Sequence, residues 1–394
     1  MRVNKWTLGL AAAGLVSIPS LVQAEEKASA IMTALSSTTI SGYVDTSIHW
    51  DMGTGNANPP GFVYNAGKQD GFNLNAINLR IDKPLDEAQW AAGYRVDLLF
   101  GPNANVIATQ SSGLGSGSDF AITQGYVALR APIGNGLDLK LGVFDTIVGY
   151  ESYHSGNNPN YTRSYGNTIE PTTHTGLLAT YQVNETIGLA AGIANTYGPV
   201  ISSRAHPVPP PAGAGVSGTK AESFKTYMGA VAFTAPESWG FLEGSTLYGG
   251  VINGYDNSPG ETRQLYYVGT TLTTPIKGFK AGACYDYSSD VVAPSLWVDV
   301  FGVYASFQAT EKLSFHGRGE YLWRDGVTAG GFPTKIMGLT GTVQYDLWKN
   351  VLSRLELRWD HAADGNEAYG GEGTVATPNR KNAYLLAANV IYKF

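Results

Sequence analysis

The sequence ends with Tyr384-Leu385-Leu386-Ala387-Ala388-Asn389-Val390-Ile391-Tyr392-Lys393-Phe394. Every second residue from Tyr384 is apolar or aromatic, a period of two that indicates a β-strand with one apolar face. Soluble chains seldom end on such a strand, because termini usually fray into water. A transmembrane β-barrel can, since closure requires the last strand to pair with the first. The other face is only partly polar, so this segment alone also fits an edge strand of a soluble β-sandwich.

The N-terminal segment predicts export. Arg2 and Lys5 precede an apolar run from Trp6 to Val16, and Val22-Gln23-Ala24 has the pattern of a cleavage site. The run is too short to span a bilayer, so residues 1–24 are predicted to be a signal peptide that is cleaved after Ala24. Residues 25–38 are expected to form a mature N-terminal lead-in. Because no later stretch reaches 18 consecutive apolar residues, helical membrane spans are not expected.

Composition favours the bacterial outer membrane among the exported destinations. The chain has 49 Gly, 23 Tyr, 14 Phe and 8 Trp, with only 15% charged residues. This balance suits short strands joined by turns. The single cysteine, Cys284, cannot form an internal disulfide. The net charge of −6 argues against nucleic acid as a partner.

From Thr39 to Phe394 the chain alternates in polarity over segments of about ten residues, with connections that are predicted to alternate between short and long. The cleanest segment sets Trp90, Tyr94 and Leu98 against Arg95 and Asp97. We predict an all-β fold over residues 39–394: a transmembrane antiparallel β-barrel of about 16 strands, with about 14 to 18 allowed. Short periplasmic turns and long extracellular loops would connect the strands. Strand nine is predicted over residues 241–254, and a bulge within residues 296–308.

Charged residues in the middle of strands favour the barrel over a soluble sandwich, because about sixteen strands enclose an aqueous channel. A sandwich would have to expose these residues on its outer faces. Neighbours on one strand could instead simply neutralise each other, and this structural role remains open for each. The candidates for the pore lining or its constriction are Arg95, Asp97, Arg130, Lys140, Asp145, Glu151, Arg163, Glu170, Arg318, Glu320, Arg354, Glu356 and Arg358.

The segment 149–173 is the main functional candidate, because it is among the longest predicted loops and is rich in Asn, Tyr, Ser and Gly. Folded into the barrel, it would set the pore diameter and present Glu151, Arg163 and Glu170 to solutes. The alternative is a flap that points away from the barrel.

Motifs around this loop resemble a known family. Val143-Phe144-Asp145-Thr146, Gly149-Tyr150-Glu151, Asn160-Tyr161-Thr162-Arg163-Ser164 and His174-Thr175-Gly176 are similar to the OmpL-like β-barrel porins. The resemblance covers about residues 41–394, although Ile147-Val148-Gly149 lacks the proline expected before the glycine. It implies an outer-membrane channel for small solutes. Resemblance to outer-membrane proteins also implies that Phe394 is read by the insertion machinery, and analogy with porins of this size suggests a homotrimer.

The sequence therefore predicts an outer-membrane porin that passes small hydrophilic solutes, in contact with outer-membrane lipid, without cofactor, metal or catalysis. Motifs for zinc proteases, phosphate loops and serine hydrolases are missing from the sequence. His154-Ser155 is only a weak hint of hydrolase chemistry, and Asp364-Gly365-Asn366 only a weak hint of Ca²⁺. Two alternatives stay open: a channel selective for sugars, organic acids or peptides, and a plugged structural or adhesive barrel. An aromatic girdle is predicted from Trp50, Trp90, Tyr181, Tyr266, Trp323, Trp359, Tyr392 and Phe394.

Overall fold

The computed structural model describes residues 37–52, 68, 70–111, 118–205, 223–255, 262–290, 297–325, 333–371 and 377–394. The predicted signal peptide, and the lead-in up to residue 36, lie outside these ranges. Among the residues that are described, no helix is both long and apolar enough to cross a bilayer.

Sixteen antiparallel strands form one closed barrel in which each strand pairs with its neighbours in sequence and β1 pairs with β16. Closure provides hydrogen-bond partners for the backbone N–H and C=O groups of both terminal strands. The predicted fold class is confirmed. Gly42 and Phe394 exchange two backbone hydrogen bonds of 2.9 and 3.0 Å at the seam. The strands are β1 Thr39–Met52, β2 Gly71–Lys83, β3 Ala91–Phe100, β4 Phe120–Ala131, β5 Leu137–Asp145, β6 Thr173–Gln182, β7 Ile187–Ala194, β8 Thr226–Thr234, β9 Thr246–Tyr255, β10 Thr262–Thr273, β11 Phe279–Asp290, β12 Trp297–Gln308, β13 Leu313–Arg324, β14 Lys335–Trp348, β15 Val351–Ala362 and β16 Asn382–Lys393.

The outer surface of the barrel is apolar, as lipid contact requires. Large side chains such as Leu141, Val231 and Leu355 alternate along their strands with inward neighbours and are exposed on the outside. Four members of the predicted girdle are also exposed: Trp50, Trp90, Tyr266 and Tyr392.

Connections are short at the end of the barrel that carries both termini of the sheet and mostly long at the other end. The turns at the short end include residues 132–136, 183–186 and 349–350, whereas residues 146–172 and 195–225 connect strands at the far end. The predicted strict alternation is wrong at three places. Residues 235–245 make a long connection at the short end, and at the far end only six residues separate β9 from β10 and β11 from β12.

Two sequence predictions about single strands are wrong. Strand β9 begins at Thr246 rather than at residue 241, because Glu237–Leu242 forms a 3-10 helix in the preceding connection. Strand β12 has an unbroken register with both neighbours, so it contains no bulge. Its inward Val298 and Val300 pack near Tyr165, which explains apolar residues on both faces of this strand.

Two short helices lie in the long connections. Helix α1 (Pro102–Ile107) lies between β3 and β4, and helix α2 (Tyr165–Ile169) lies between β5 and β6. Both bury side chains, and α2 contacts the inner faces of β11 and β12. The protein core therefore lies inside the barrel, between the connecting segments and the inward faces of the strands.

Candidate functional site

The connection between β5 and β6, residues 146–172 (loop 3), lies inside the barrel. Its base is closed by a hydrogen bond of 3.0 Å from the Thr146 amide to the Thr172 carbonyl. Residues 147–152 and 158–166 are buried throughout. Buried residues need partners for their backbone polar groups, and the inward side chains of the barrel wall supply many of them.

The first part of loop 3 packs on an apolar part of the wall. Ile147, Val148 and Tyr150 belong to one buried cluster with inward residues of β6 to β12. The ring of Tyr150 stacks on Tyr304, with 3.9 Å between ring centroids. The hydroxyl of Tyr248 donates to the Ile147 carbonyl. This part of the wall is therefore apolar rather than lined with water, in contrast to the sequence-based assignment of a polar inner face.

Arg318 of β13 joins loop 3 to the adjacent, charged part of the wall. Its guanidinium donates to Glu151 at 2.8 Å and to Glu320 at 2.9 Å. It also donates to the Thr162 carbonyl at 2.7 Å and to the Arg163 carbonyl at 3.3 Å. Because its donors all point at charged or polar partners, Arg318 fixes the middle of loop 3 in position and direction.

Acidic wall residues accept the amides of loop 3. Glu356 accepts from the amides of Tyr161 and Thr162 at 2.5 and 2.9 Å. Glu320 accepts from the Tyr165 amide at 2.6 Å, which holds the first turn of α2. Hydrogen bonds to a charged acceptor are about twice as strong as neutral ones.

Basic wall residues donate to the carbonyls of loop 3. Arg354 donates to Asn158 at 2.8 Å and to Ser155 at 3.1 Å. Arg358 donates to the Arg163 carbonyl at 2.7 Å and pairs with the Asp360 carboxylate. The Tyr165 hydroxyl also donates to Asp360, and burial raises the pKa of Tyr165, so this hydroxyl keeps its proton.

Loop 3 also contributes its own buried cation. The Arg163 side chain is fully buried and donates to the carbonyls of Tyr161 and Tyr153 at 2.8 and 2.7 Å. Glu151 accepts the Ser164 amide at 2.7 Å, and the Ser164 hydroxyl caps α2. Seven predicted site residues thus meet in one buried network, which we call the anchor network: Glu151, Arg163, Arg318, Glu320, Arg354, Glu356 and Arg358.

A second cluster forms around Asp97 on β3. Arg80 and Arg95 reach its carboxylate at 2.7 and 3.2 Å. His154 of loop 3 lies 3.6 Å from the same carboxylate and bonds the Tyr43 hydroxyl at 3.0 Å. Burial lowers the pKa of His154 to about 4 despite the opposing effect of Asp97, so the ring is neutral at pH 7. His154 therefore attaches loop 3 to β1 by hydrogen bonding.

Glu170, at the end of loop 3, lies close enough to Asp286 of β11 to interact with it electrostatically. Burial, and then the negative charge of Asp286, raise the pKa of Glu170 well above its ordinary range. Glu170 therefore favours its protonated form more than an exposed glutamate does. Gly149 has φ +115°, and a Cβ there would lie 2.4 Å from the Glu170 carboxylate. Glycine is required at this point by both the backbone and the close approach.

The remaining predicted site residues lie outside the anchor network. Arg130 pairs with Asp138 at 2.6 Å near the short end of the barrel, and both side chains are partly exposed. The Lys140 ammonium lies 5.0 Å from the centre of the Tyr126 ring. Asp145 accepts from Gln124 at 2.7 Å.

Sequence reasoning missed polar contributions from other connections. Lys68, between β1 and β2, donates to Asn75 at 3.0 Å and to Asn103 of α1 at 2.9 Å. Burial lowers the pKa of Lys68 to about 8. Asn389 of β16 was also missed, and it links Arg354 to Asp45. Asparagines at inward-facing positions were the available sign of such polar contacts. Their hydrogen-bond partners are distant in sequence, so the contacts themselves could not be predicted.

The described residues contain no group of three or more His, Cys, Asp or Glu side chains arranged to hold a metal ion. The carboxylates of the anchor network instead face arginines and backbone amides. Such an arrangement holds a segment of chain in place and offers neither an activated nucleophile nor an open coordination position.

Comparison with known proteins identifies relatives at the level of family and fold. Residues 37–394 match the family described as "Putative beta-barrel porin-2, OmpL-like". No curated protein matches the sequence.

Solved structures share the fold at low identity. The outer membrane channel DcaP of Acinetobacter baumannii has a TM-score of 0.56 at 13% identity and covers 91% of this chain and 97% of its own. An anion-selective porin from Comamonas acidovorans has a TM-score of 0.56 at 13% identity, and the match covers 91% of this chain and 99% of that porin. OmpT of Vibrio cholerae, in a trimer form, has a TM-score of 0.55 at 12% identity, and the match covers 91% of this chain and 99% of OmpT.

Proposed function

The chain belongs to the OmpL-like β-barrel porin family and is an outer-membrane porin; we propose that loop 3 narrows its diffusion path for small hydrophilic solutes. The observation that carries this proposal is the anchor network, which ties a loop inside the barrel to β13 and β15 through buried charges. A segment held in this way restricts the lumen. No catalytic step is part of the proposal, and the protein acts by exclusion.

The proposed path runs beside β2 to β5, on the side of the lumen away from the anchor network, and then passes beneath loop 3 to the end of the barrel with short turns. The Arg80 and Arg130 side chains there are each 28% exposed, whereas Arg318 and Arg358 side chains are fully buried. Lys140 and Tyr126 are also only partly buried. Although the Asp97 carboxylate beside Arg80 is fully buried, the greater exposure of these cations than of those in the anchor network supports a route that passes beside loop 3.

Liposome swelling with uncharged sugars of increasing size tests this function. We expect rapid entry of monosaccharides and a sharp fall for larger oligosaccharides. Absence of swelling with every sugar, from a correctly folded and heat-modifiable preparation, would favour the plugged structural barrel. Equal entry of all sizes would mean that loop 3 does not restrict the lumen.

We further propose a cleaved signal peptide at residues 1–24 and assembly as a homotrimer. The pattern of residues 1–24 and the OmpT trimer form support these two points respectively. N-terminal sequencing of the protein from outer membranes tests the first, with Glu25 expected as the first residue. Chemical cross-linking in intact membranes tests the second, with a band at three times the mass of the chain expected.

A further inference from the structure

A cavity of about 820 Å³ opens beneath loop 3, at the short-turn end of the barrel. Residues 156–159 of loop 3 form one boundary. The turn 274–278 and the turn 309–311 form others, together with inward residues of β11 to β14. This size suits a small polar solute, because ligand sites commonly enclose about 300–1,000 Å³. We call this cavity the basic vestibule.

Three lysines line the basic vestibule: Lys277, Lys280 and Lys393. Glu311 is the single acidic residue of its lining, so the lining carries a net charge of +2. Asp346 lies close enough to Lys393 to interact with it electrostatically. Its charge compensates the vestibule only in part.

Lys280 stands without an ion-pair partner among the described residues. It is half-buried on an inward position of β11, and no hydrogen bond or ion pair connects its ammonium to another residue in the part of the chain that the structure describes. Lys393, by contrast, donates to the Gly156 carbonyl at 2.8 Å. The half-exposed Lys280 side chain lines the vestibule, and its ammonium remains accessible to an anion that enters from solution.

Hydroxyl groups lie beside Lys280 in a continuous cross-strand row. Lys280 is directly opposite Ser306, and Ser306 is directly opposite His316. The His316 ring bonds the Ser306 hydroxyl at 2.8 Å through Nδ1 and the Ser314 hydroxyl at 2.9 Å through Nε2. A neutral imidazole donates from one nitrogen only, so one serine accepts from the ring and keeps its own hydroxyl proton to donate.

We propose that the basic vestibule binds small oxyanions, the phosphate or carboxylate groups of anionic solutes, on the periplasmic side of loop 3. This inference rests on the proposed porin function. Lys280 is the primary contact and Lys277 adds long-range attraction. The hydroxyl row at His316 supplies a neutral donor. Cations gathered at a narrow passage favour anions, as charged rings in channels do.

The test measures block of KCl current across planar bilayers by inorganic phosphate and, separately, by succinate, added to each side in turn. We expect saturable block by at least one of the two, stronger from the side that the short turns face. In Lys280→Gln, the half-blocking concentration should rise about tenfold, equivalent to about 1.4 kcal/mol. The control Lys312→Gln removes an equal charge from an exposed position in the turn between β12 and β13, and should change this concentration less than twofold.

Equilibrium dialysis of radiolabelled phosphate and succinate against the detergent-folded barrel tests anion binding in the basic vestibule independently of the porin function. Binding that Lys280→Gln weakens and Lys312→Gln does not would support the vestibule even if the current were too small to measure. KCl conductance without saturable block or binding by either anion would overturn the vestibule and leave the porin function intact. Equal effects of the two substitutions would also overturn it.

Discussion

Replacement of Arg318 by methionine is expected to release loop 3 while the barrel stays closed. Arg318 neutralises Glu151 and Glu320 and donates to two carbonyls of loop 3. Methionine keeps much of the side-chain volume but leaves both carboxylates without this cation. Removing one partner from a buried ion pair costs roughly 3–5 kcal/mol. Since about 1.4 kcal/mol corresponds to a factor of ten, the released population should rise by a factor of roughly 10² to 4 × 10³.

Trypsin cleavage after Arg163 measures this release. The Arg163 side chain is fully buried in the seated loop, so cleavage requires the loop to leave its site. When opening is fast, the cleavage rate follows the open population. Mass spectrometry identifies the new end at Ser164, and we expect the rate to increase about 100-fold or more.

Arg130→Met is the matched control, because it removes an arginine from a partly exposed pair with Asp138. Exposed ion pairs contribute only about 0–1 kcal/mol, so cleavage after Arg163 should change less than about fivefold. Both variants should keep their heat-modifiable migration, which reports the intact barrel. If Arg318→Met were cleaved no faster than the control, the anchor network would not hold loop 3.

Three further predictions concern single residues. Glu170 prefers its protonated form when loop 3 is seated in the barrel, because burial raises its pKa well above the ordinary value of 4.5. Loop 3 is therefore held less tightly as pH rises through this raised pKa, and wild-type conductance should increase with pH. The conductance of Glu170→Gln should not depend on pH, and identical pH profiles of the two proteins would refute this role. Gly149→Ala places a Cβ against the Glu170 carboxylate, and cleavage after Arg163 should therefore accelerate, in contrast to Gly341→Ala, which has open space. Deletion of Phe394 removes the backbone pairing with Gly42 and should reduce the amount of protein in the outer membrane more than the conductance of each channel. An unchanged amount of protein would mean that Phe394 only packs at the seam and does not act in assembly.

The strand pattern was readable from the sequence where inner and outer faces differ strongly. On β13 the alternation of Phe315 and Tyr321 with Arg318 and Glu320 correctly separates the two faces. The alternation of polarity is lost where both faces of a strand are apolar, as at Val300 of β12, because loop 3 packs against the inner face there. The sequence could not reveal this packing, since loop 3 is distant from β12 along the chain.

The charged residues were also visible, but their partners were not. Arg318 and Glu320 are two residues apart, so their pairing follows from the strand period. The contact between Glu151 and Arg318 joins positions 167 apart in sequence, and depends on how loop 3 enters the barrel. Periodicity therefore found the members of the anchor network, whereas only the folded structure shows that they bind the loop.

Single-channel conductance measures whether loop 3 narrows the diffusion path. The wild type is compared with a variant in which residues 151–164 are replaced by a short Gly-Ser linker. We expect small, discrete and ohmic conductance steps for the wild type, and steps several-fold larger for the variant. Absence of steps from a folded wild-type barrel, or equal steps from both proteins, would contradict a porin whose path is narrowed by loop 3.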